Sequence, residues 1–354
     1  MKQARTIKPI ITSVVALAIL LFSFAGVFSG AVVTAQAATP TLPETEYVSP
    51  KSPSTPEPYD GVPVTPKQIS SSNYRSYGLT DENWKQYNGY YAIRNAKELY
   101  GFAALTRAVL RPNQNAVLLA DIVINTTVST ETGGTYLWES IVGDPTHGND
   151  GGYAGTFDGN GYSISGIYTK SGSLGVNFGF FGAINNAGVV KNLVLKNSVF
   201  LSEGVVAVFA QNHCGMVSAC RVESSVILKN EIRGEVSGVA SIDRLNEGGN
   251  SYVGGIENTY SAATLQVCEA PYVGVFVGMI DSSKNFKNNY GIESNGFKMV
   301  GNTTPPTGAV TVLTSQNDAH VCIPITHNQV NGTCERSGLS AYTYCAVCEK
   351  VLSG

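Results

Sequence analysis

From Tyr153 to Asn302 the apolar residues come in short runs, each closed by glycine, asparagine or aspartate. YAGTFDGNGYSISGIY at 153–168 sets the pattern. Phe157, Ile164 and Ile167 are its inward positions, and Asp158-Gly159-Asn160-Gly161 is a tight reversal, because glycine and asparagine tolerate the positive φ such corners demand. Phe180 to Ile184 and Val208 to Asn212 repeat the theme. Phe181 and Phe209 lie 28 residues apart, and with one residue dropped Val189 to Leu195 falls on Met216 to Val222. A recurrence of about 28 residues is the period of one solenoid turn, so the pattern predicts an all-β parallel solenoid. A looser copy runs from Val273 to Ile280 and on to Asn288–Ile292, with an insertion near Asn246 to Asn250. About five turns at ~4.8 Å each give a stack roughly 25 Å long.

Ahead of the repeats, Tyr90 to Ile93 reads as a strand, and Asn95 with Glu98 opens an amphipathic helix that runs to about Leu110. Leu99, Phe102, Ala103, Leu105, Val109 and Leu110 form its apolar stripe, which suits a cap on the first turn of the stack. NAVLLADIVIN at 115–125 then reads as one buried strand. Composition agrees with a turn-rich β protein: glycine is 38 of 354 residues and charged residues are 14%, against roughly 25% in ordinary globular chains.

The N-terminus has Lys2, Arg5 and Lys8, an apolar run from Pro9 to Val33, and Ala35-Gln36-Ala37 before Ala38, the layout of a secretory signal over residues 1–37. The alternative is an uncleaved anchor, since the run is long enough to cross a bilayer. In either case the remainder is expected outside the cell, secreted or at the cell surface, with membrane contact only through this segment. Its removal leaves 20 basic against 26 acidic residues, a net charge of −6 that argues against a nucleic-acid partner. Residues 38–67 hold eight prolines between Pro40 and Pro66 and read as an extended spacer, roughly 80 Å at ~3.1 Å per residue.

No catalytic constellation stands out, so no catalytic or organic-cofactor residues are assigned. An enzyme of polysaccharides, lyase or glycoside hydrolase, needs paired carboxylates or a calcium-binding cluster. The acidic residues of the repeats are scattered, and only Glu231, Arg233 and Glu235, or Asp243, Arg244 and Glu247, group locally. Asp158 belongs to its turn. Tyr136, Trp138, Tyr153 and Tyr168 can form a flat glycan-binding platform or can pack within the sheets. Cys220, opposite Leu193 in the overlay, reads as a small buried residue, and Cys214 and Cys268 are of the same kind.

The C-terminal cysteines differ. His327, Cys334, Cys345 and Cys348 make an H-x6-C-x10-C-x2-C arrangement whose CxxC knuckle brings two thiolates to one metal, with a histidine and a third cysteine completing a tetrahedron. So short a tail needs a staple to fold: a structural Zn2+, with His320 and Cys322 in reserve as ligands, or disulfides such as Cys322 with Cys334.

YYAIRNAKELYGFAAL, NAVLLADIVIN, YAGTFDGNGYSISGIY and FGFFGAINNAGVVKNLVL, taken in order over Tyr90 to Asn302, resemble the GLUG-type repeat region of secreted and surface proteins of Gram-positive bacteria. The resemblance implies a right-handed parallel β-helix, cell-surface display and an adhesion-like role toward extracellular glycans or host and bacterial surface proteins. In some proteins of this kind the resemblance also implies a neighbouring IgA-cleaving metallopeptidase. None of His147, His213, His320 and His327 is followed by glutamate, so the two-histidine zinc helix of such a peptidase is not encoded here. The tail, with His327, Thr333-Cys334, Gly338, Tyr342, Tyr344, Cys345 and Cys348, resembles a short His/Cys module found near the ends of similar surface proteins; Glu349 stands where that module usually has glycine. The resulting layout is a signal peptide (1–37), a proline-rich linker (38–67), a parallel β-helix with its N-terminal cap (68–302), a linker (303–317) and a small Cys/His module (318–354). Its expected function is non-enzymatic binding, with a polysaccharide-active enzyme as the alternative.

Overall fold

A computed structural model describes residues 89–108, 113–138, 152–171, 179–210, 212–213, 215–231, 234–240, 255–267, 272–278, 286–301, 309–329 and 340–353. The expected signal segment and spacer lie outside these residues, as do Cys214, Cys268, Cys334 and the insertion near Asn246.

Within the described residues the protein is mostly β, with one helix and five parallel sheets. Two sheets have seven strands each. The first runs through Tyr90–Ile93, Asn115–Leu118, Thr156–Asp158, Val189–Lys191, Met216–Ser218, Gly255–Glu257 and Phe286–Lys287. The second runs through Ile122–Val123, Ser163–Ser165, Val194–Lys196, Arg221–Val222, Tyr260–Ser261, Asn289–Ile292 and Val310–Leu313. A third sheet of four strands contains Tyr168–Ser171, Ser198–Ser202, Val226–Asn230 and Thr264–Val267. Six successive passes of the chain, from Asn115 to Ile292, each lay one strand in the first sheet and then one in the second, and four of these passes go on to add a strand to the third. Neighbouring strands therefore come from consecutive passes.

The overlay of repeats is the hydrogen-bonded register. Val189 pairs with Met216, Val190 with Val217, and Leu195 with Val222. The Phe181 amide donates to the Phe209 carbonyl at 2.7 Å. Cys220 sits inward with no exposure, and burial pushes its thiol up to about 12.

The bend from the first sheet to the second is built the same way in five passes. Its corner residue has φ near +50°: Asn160, Asn192, Ala219, Asn258 and Asn288. Asparagine tolerates this left-handed conformation and its amide can reach a neighbouring pass. Asn160 accepts a turn-closing role from Asp158, whose Oδ1 takes the Asn160 amide hydrogen at 2.8 Å and that of the Asn192 side chain at 3.1 Å, while Oδ2 pairs with Lys191 at 3.3 Å. Asp158 is thus a corner residue, as the sequence indicates.

The helix, α1, spans Ala96–Ala108. Asn95 Oδ1 accepts the Glu98 amide hydrogen at 2.9 Å, but Glu98 reaches back one residue further than a capping box requires, taking the Arg94 amide hydrogen at 2.7 Å and pairing with its guanidinium at 3.2 Å. Its stripe, Leu99, Phe102, Ala103 and Leu105, is buried in the common core. There Phe102 packs against Phe157 with ring centroids 6.0 Å apart, and Phe157 meets Phe180 and Phe181 edge-on at 5.5 and 5.7 Å.

Two expectations are corrected. The segment 115–125 is two strands, because the chain turns at Leu119 to Asp121, where Asp121 Oδ1 receives both the amide and hydroxyl hydrogens of Ser163 at 2.7 Å. The expected linker 303–317 contains a strand: Val310–Leu313 pairs with Asn289–Ile292 as the last member of the second sheet, and Leu313 is buried beneath the C-terminal hairpin.

Ala219 is the one corner residue that lacks a side chain suited to positive φ, a conformation costing an ordinary L-residue about 1–2 kcal/mol. Ala219→Asn is expected to raise stability by about 0.5–1 kcal/mol in urea denaturation. Phe157→Ala, by contrast, is expected to remove about 3–5 kcal/mol in the same measurement.

Candidate metal centre

The C-terminal segment folds as a three-stranded antiparallel sheet, Pro324–His327, Tyr342–Cys345 and Val351–Ser353, beside the second parallel sheet. Two stretches of it converge. The first is the loop after Val310–Leu313, closed by Asp318. Its carboxylate accepts the hydroxyl and amide hydrogens of Thr314 at 2.8 and 2.6 Å and those of Ser315 at 3.0 and 3.1 Å, which hold the Asp318 carboxyl down at about 2. The loop delivers His320 and Cys322. The second stretch is the turn Ala346–Cys348, which closes the knuckle begun by Cys345.

His320, Cys322, Cys345 and Cys348 each offer a ligand atom here, and all four atoms lie within 4.8 Å of one another. His320 Nδ1 is 2.6 Å from the Asp318 carbonyl oxygen, which can only accept, so Nδ1 carries the proton. Nε2 then lies 3.3 Å from Cys345 Sγ, where the protonated ring donates to the thiolate and the neutral ring has its Nε2 lone pair free for a metal, the orientation that a second-shell carbonyl imposes on a metal-binding imidazole. The Val347 amide donates to Cys345 Sγ at 3.4 Å. Burial raises the Cys345 thiol, but the amides of Cys348 and Val347 and the His320 ring outweigh it and bring the group down to about 6. The Cys322 thiol donates to Cys345, and this together with burial pushes it up to about 11. Burial opposes charge on His320, yet its hydrogen bond to Asp318 and the adjacent Cys345 sulfur raise its pKa. One thiolate is therefore set up in advance, with a second sulfur hydrogen-bonded to it.

The donor set fits zinc. Three sulfurs and one imidazole nitrogen at Zn–S ~2.3 Å and Zn–N ~2.0 Å define a tetrahedron with edges of about 3.5–3.8 Å, and the 3.3 Å separation of His320 and Cys345 is within a few tenths of an ångström of the S···N edge. Four protein ligands leave no open position, so the centre suits folding and not hydrolysis.

The knuckle is fixed to the parallel sheets by Arg221, a buried residue of the second sheet. Its Nη1 donates to the Ala346 and Val347 carbonyls, the latter at 2.8 Å, and its Nη2 lies 3.3 Å from the Glu349 carboxylate. The guanidinium also lies over the Tyr260 ring, 4.9 Å from its centroid. Around this bolt Val194, Tyr260, Tyr290 and Leu313 pack with Ile323, Ile325, Ala346 and Val347. Further along, Tyr344 donates to the Gly161 carbonyl at 2.9 Å, and Asn328 donates to Asn160 Oδ1 at 2.8 Å from both its amide and its side chain.

Of the ligands expected from sequence, Cys345 and Cys348 belong to the cluster and Cys334 lies outside the described residues. His327 is a correction. It pairs across the hairpin with Tyr342, three residues from Cys345 and so about 10 Å along the strand. Its buried ring stacks on Tyr342 at 4.8 Å and meets Tyr162 edge-on at 4.2 Å, while Nδ1 donates to the Asn328 carbonyl. Burial lowers its pKa, as befits a neutral packing residue. His320 and Cys322, held in reserve by the sequence reading, stand with Cys345 and Cys348 in the group that could hold a metal. Cys322 is a free thiol facing Cys345 and Cys348, and Cys334, its partner in the disulfide alternative, lies outside the described residues.

The aromatic platform is also corrected. Trp138 is 1% exposed and Tyr153 is fully buried, stacked on Phe180 and Phe181 at 5.3 and 5.0 Å, so neither presents a face to a sugar. Their polar atoms are used internally: Trp138 Nε1 donates to the Phe180 carbonyl and the Tyr153 hydroxyl to that of Gln114. Tyr136 and Tyr168 are half-buried. Among the acidic residues considered for catalysis, Glu231 is exposed and paired with Lys229 at 3.2 Å, and Glu235 is buried and accepts from Ser237 at 3.3 Å. Arg233, Asp243, Arg244 and Glu247 lie outside the described residues.

Comparison with protein-family models, with curated proteins and with solved structures finds no match.

The purified chain is expected to bind one Zn2+, and its Co2+ form to show thiolate charge-transfer absorption. His320→Ala is expected to abolish that spectrum at equimolar metal, whereas His327→Gln leaves it in place. Arg221→Met strips donors from two carbonyls at the knuckle and is expected to cost about 2–4 kcal/mol in urea denaturation with zinc present.

Proposed function

We propose that this protein is an exported, non-enzymatic β-solenoid, a right-handed parallel β-helix displayed at the cell surface or released from it, that binds extracellular glycans or surface proteins. The single observation that carries the reading is the pair of seven-stranded parallel sheets built in register by consecutive passes of one chain. A stack of this kind offers a long, rigid, repetitive surface, which is the geometry of extended recognition. The structural zinc reading supports it: four protein ligands hold a module in place and leave nothing to activate water.

Export rests on the N-terminal signal pattern and the proline-rich spacer of the sequence. Among the described residues no helix is long and apolar enough to cross a membrane, and the apolar run at 9–33 lies outside them.

The test has two parts. The form recovered from the medium or the wall of the producing cell is expected to begin at Ala38. Applied to arrays of glycans and surface proteins, the purified chain is expected to be retained without turnover. Release of new reducing ends or unsaturated uronates from polysaccharide would favour the lyase or glycoside hydrolase alternative instead.

A further inference from the structure

A groove of about 720 Å³ opens where the second parallel sheet meets the C-terminal module. It has the size of a small-ligand site, but its walls are polar. The parallel sheets contribute Glu223, Glu293 and Asn295, and the module contributes Gln316 and Glu349. Ala262 and Ile292 supply a small apolar patch. Arg221 stands behind them, its side chain 5% exposed, with Nε buried, lacking a hydrogen-bond partner and 3.7 Å from the Glu223 carboxylate.

We propose that this groove binds a glycan segment rich in hydroxyl groups and free of acidic groups. The proposal deepens the binding role put forward above and rests on it. Three glutamates against one arginine leave the groove negative, which repels uronate, sulfated and phosphorylated chains. Glu223 and Glu349 are engaged with Arg221, while Glu293 is exposed and makes no ion pair among the described residues. An exposed acceptor of this kind suits hydroxyl hydrogens, and beside it Asn295, whose amide donates to the Leu265 carbonyl at 2.6 Å, and Gln316, whose Oε1 accepts from Arg221 at 3.5 Å, add further polar groups to the lining. A peptide partner would call for deep apolar pockets for its side chains, and the apolar part of this lining is small.

The groove is formed only when the module is docked. Gln316 precedes His320 by four residues on the loop that Asp318 closes, and Glu349 directly follows Cys348. The assay therefore uses the zinc-loaded full chain. It is applied to an array of neutral hexose, N-acetylhexosamine, amino-sugar and uronate oligosaccharides, together with a lysine-rich peptide. Retention by at least one non-acidic glycan is expected, and Glu293→Lys is expected to weaken it tenfold or more with an unchanged melting temperature. A Gln316→Ala variant is expected to weaken the same glycan. Retention that survives both substitutions overturns the groove assignment and leaves the general binding role intact. Retention of uronates or of the peptide alone overturns the ligand class, and retention of nothing on glycan or protein arrays overturns both readings.

Discussion

Every strand of the parallel sheets depends on a neighbour contributed by another pass of the chain. A parallel ladder leaves each strand's N–H and C=O groups unpaired until the adjacent strand arrives, and burying them unpaired costs more than packing can return. The Val189–Met216 and Ser198–Val226 registers are thus conditions for one another. Once one pass is aligned the inward positions repeat, and Phe157, Val190, Val217 and Ile256 follow in consecutive strands of the first sheet. The core comes from this repetition: Phe181 lies under Phe209 because the backbone places it there.

The C-terminal module uses the same sheets differently. Among the described residues it presents no strand to the parallel ladders, and it meets the second sheet through side chains and corner groups. Arg221 is the main link, since a guanidinium can serve several acceptors in one plane. Its partners are the carbonyls of the turn that shapes Cys345 and Cys348 for a metal. The metal centre and the docking contact therefore share one turn of chain, and what orders one orders the other. The groove between module and sheets inherits that dependence.

Much of the fold was legible in the sequence because its determinants are local and repeat. The offset of Met216 on Val189, the inward Cys220, the helix opened by Asn95 and the corner at Asp158 to Gly161 all follow from spacing and turn chemistry. Boundaries were less legible. Asp121 looked like one polar residue in a strand, and only its bond to Ser163, on the next pass, makes it a corner. The candidate site was half legible: the spacing of Cys345 and Cys348 marks them as candidate ligands, but the choice of histidine is tertiary. His327 fits the motif spacing, and the hairpin register turns it toward Tyr162, while Asp318 orients His320 at the cluster. The pattern His320-x-Cys322 directly after a loop-closing Ser, Thr and Asp group was the available signal. Trp138 and Tyr153 mislead for a similar reason, since nothing local separates a ring stacked on the next pass from one facing water.

The parallel register is tested most directly in the third sheet, where Lys229 lies beside Gln266 on the next pass and Lys170 lies two passes from Lys229. Strands ~4.8 Å apart place paired positions within disulfide reach, and positions two or more strands away beyond it. With cysteines at 229 and 266 the account predicts a cross-link on mild oxidation, identified by peptide mass mapping, and none with cysteines at 170 and 266. Failure of the first pair to join, or equal joining of both, would contradict in-register parallel stacking.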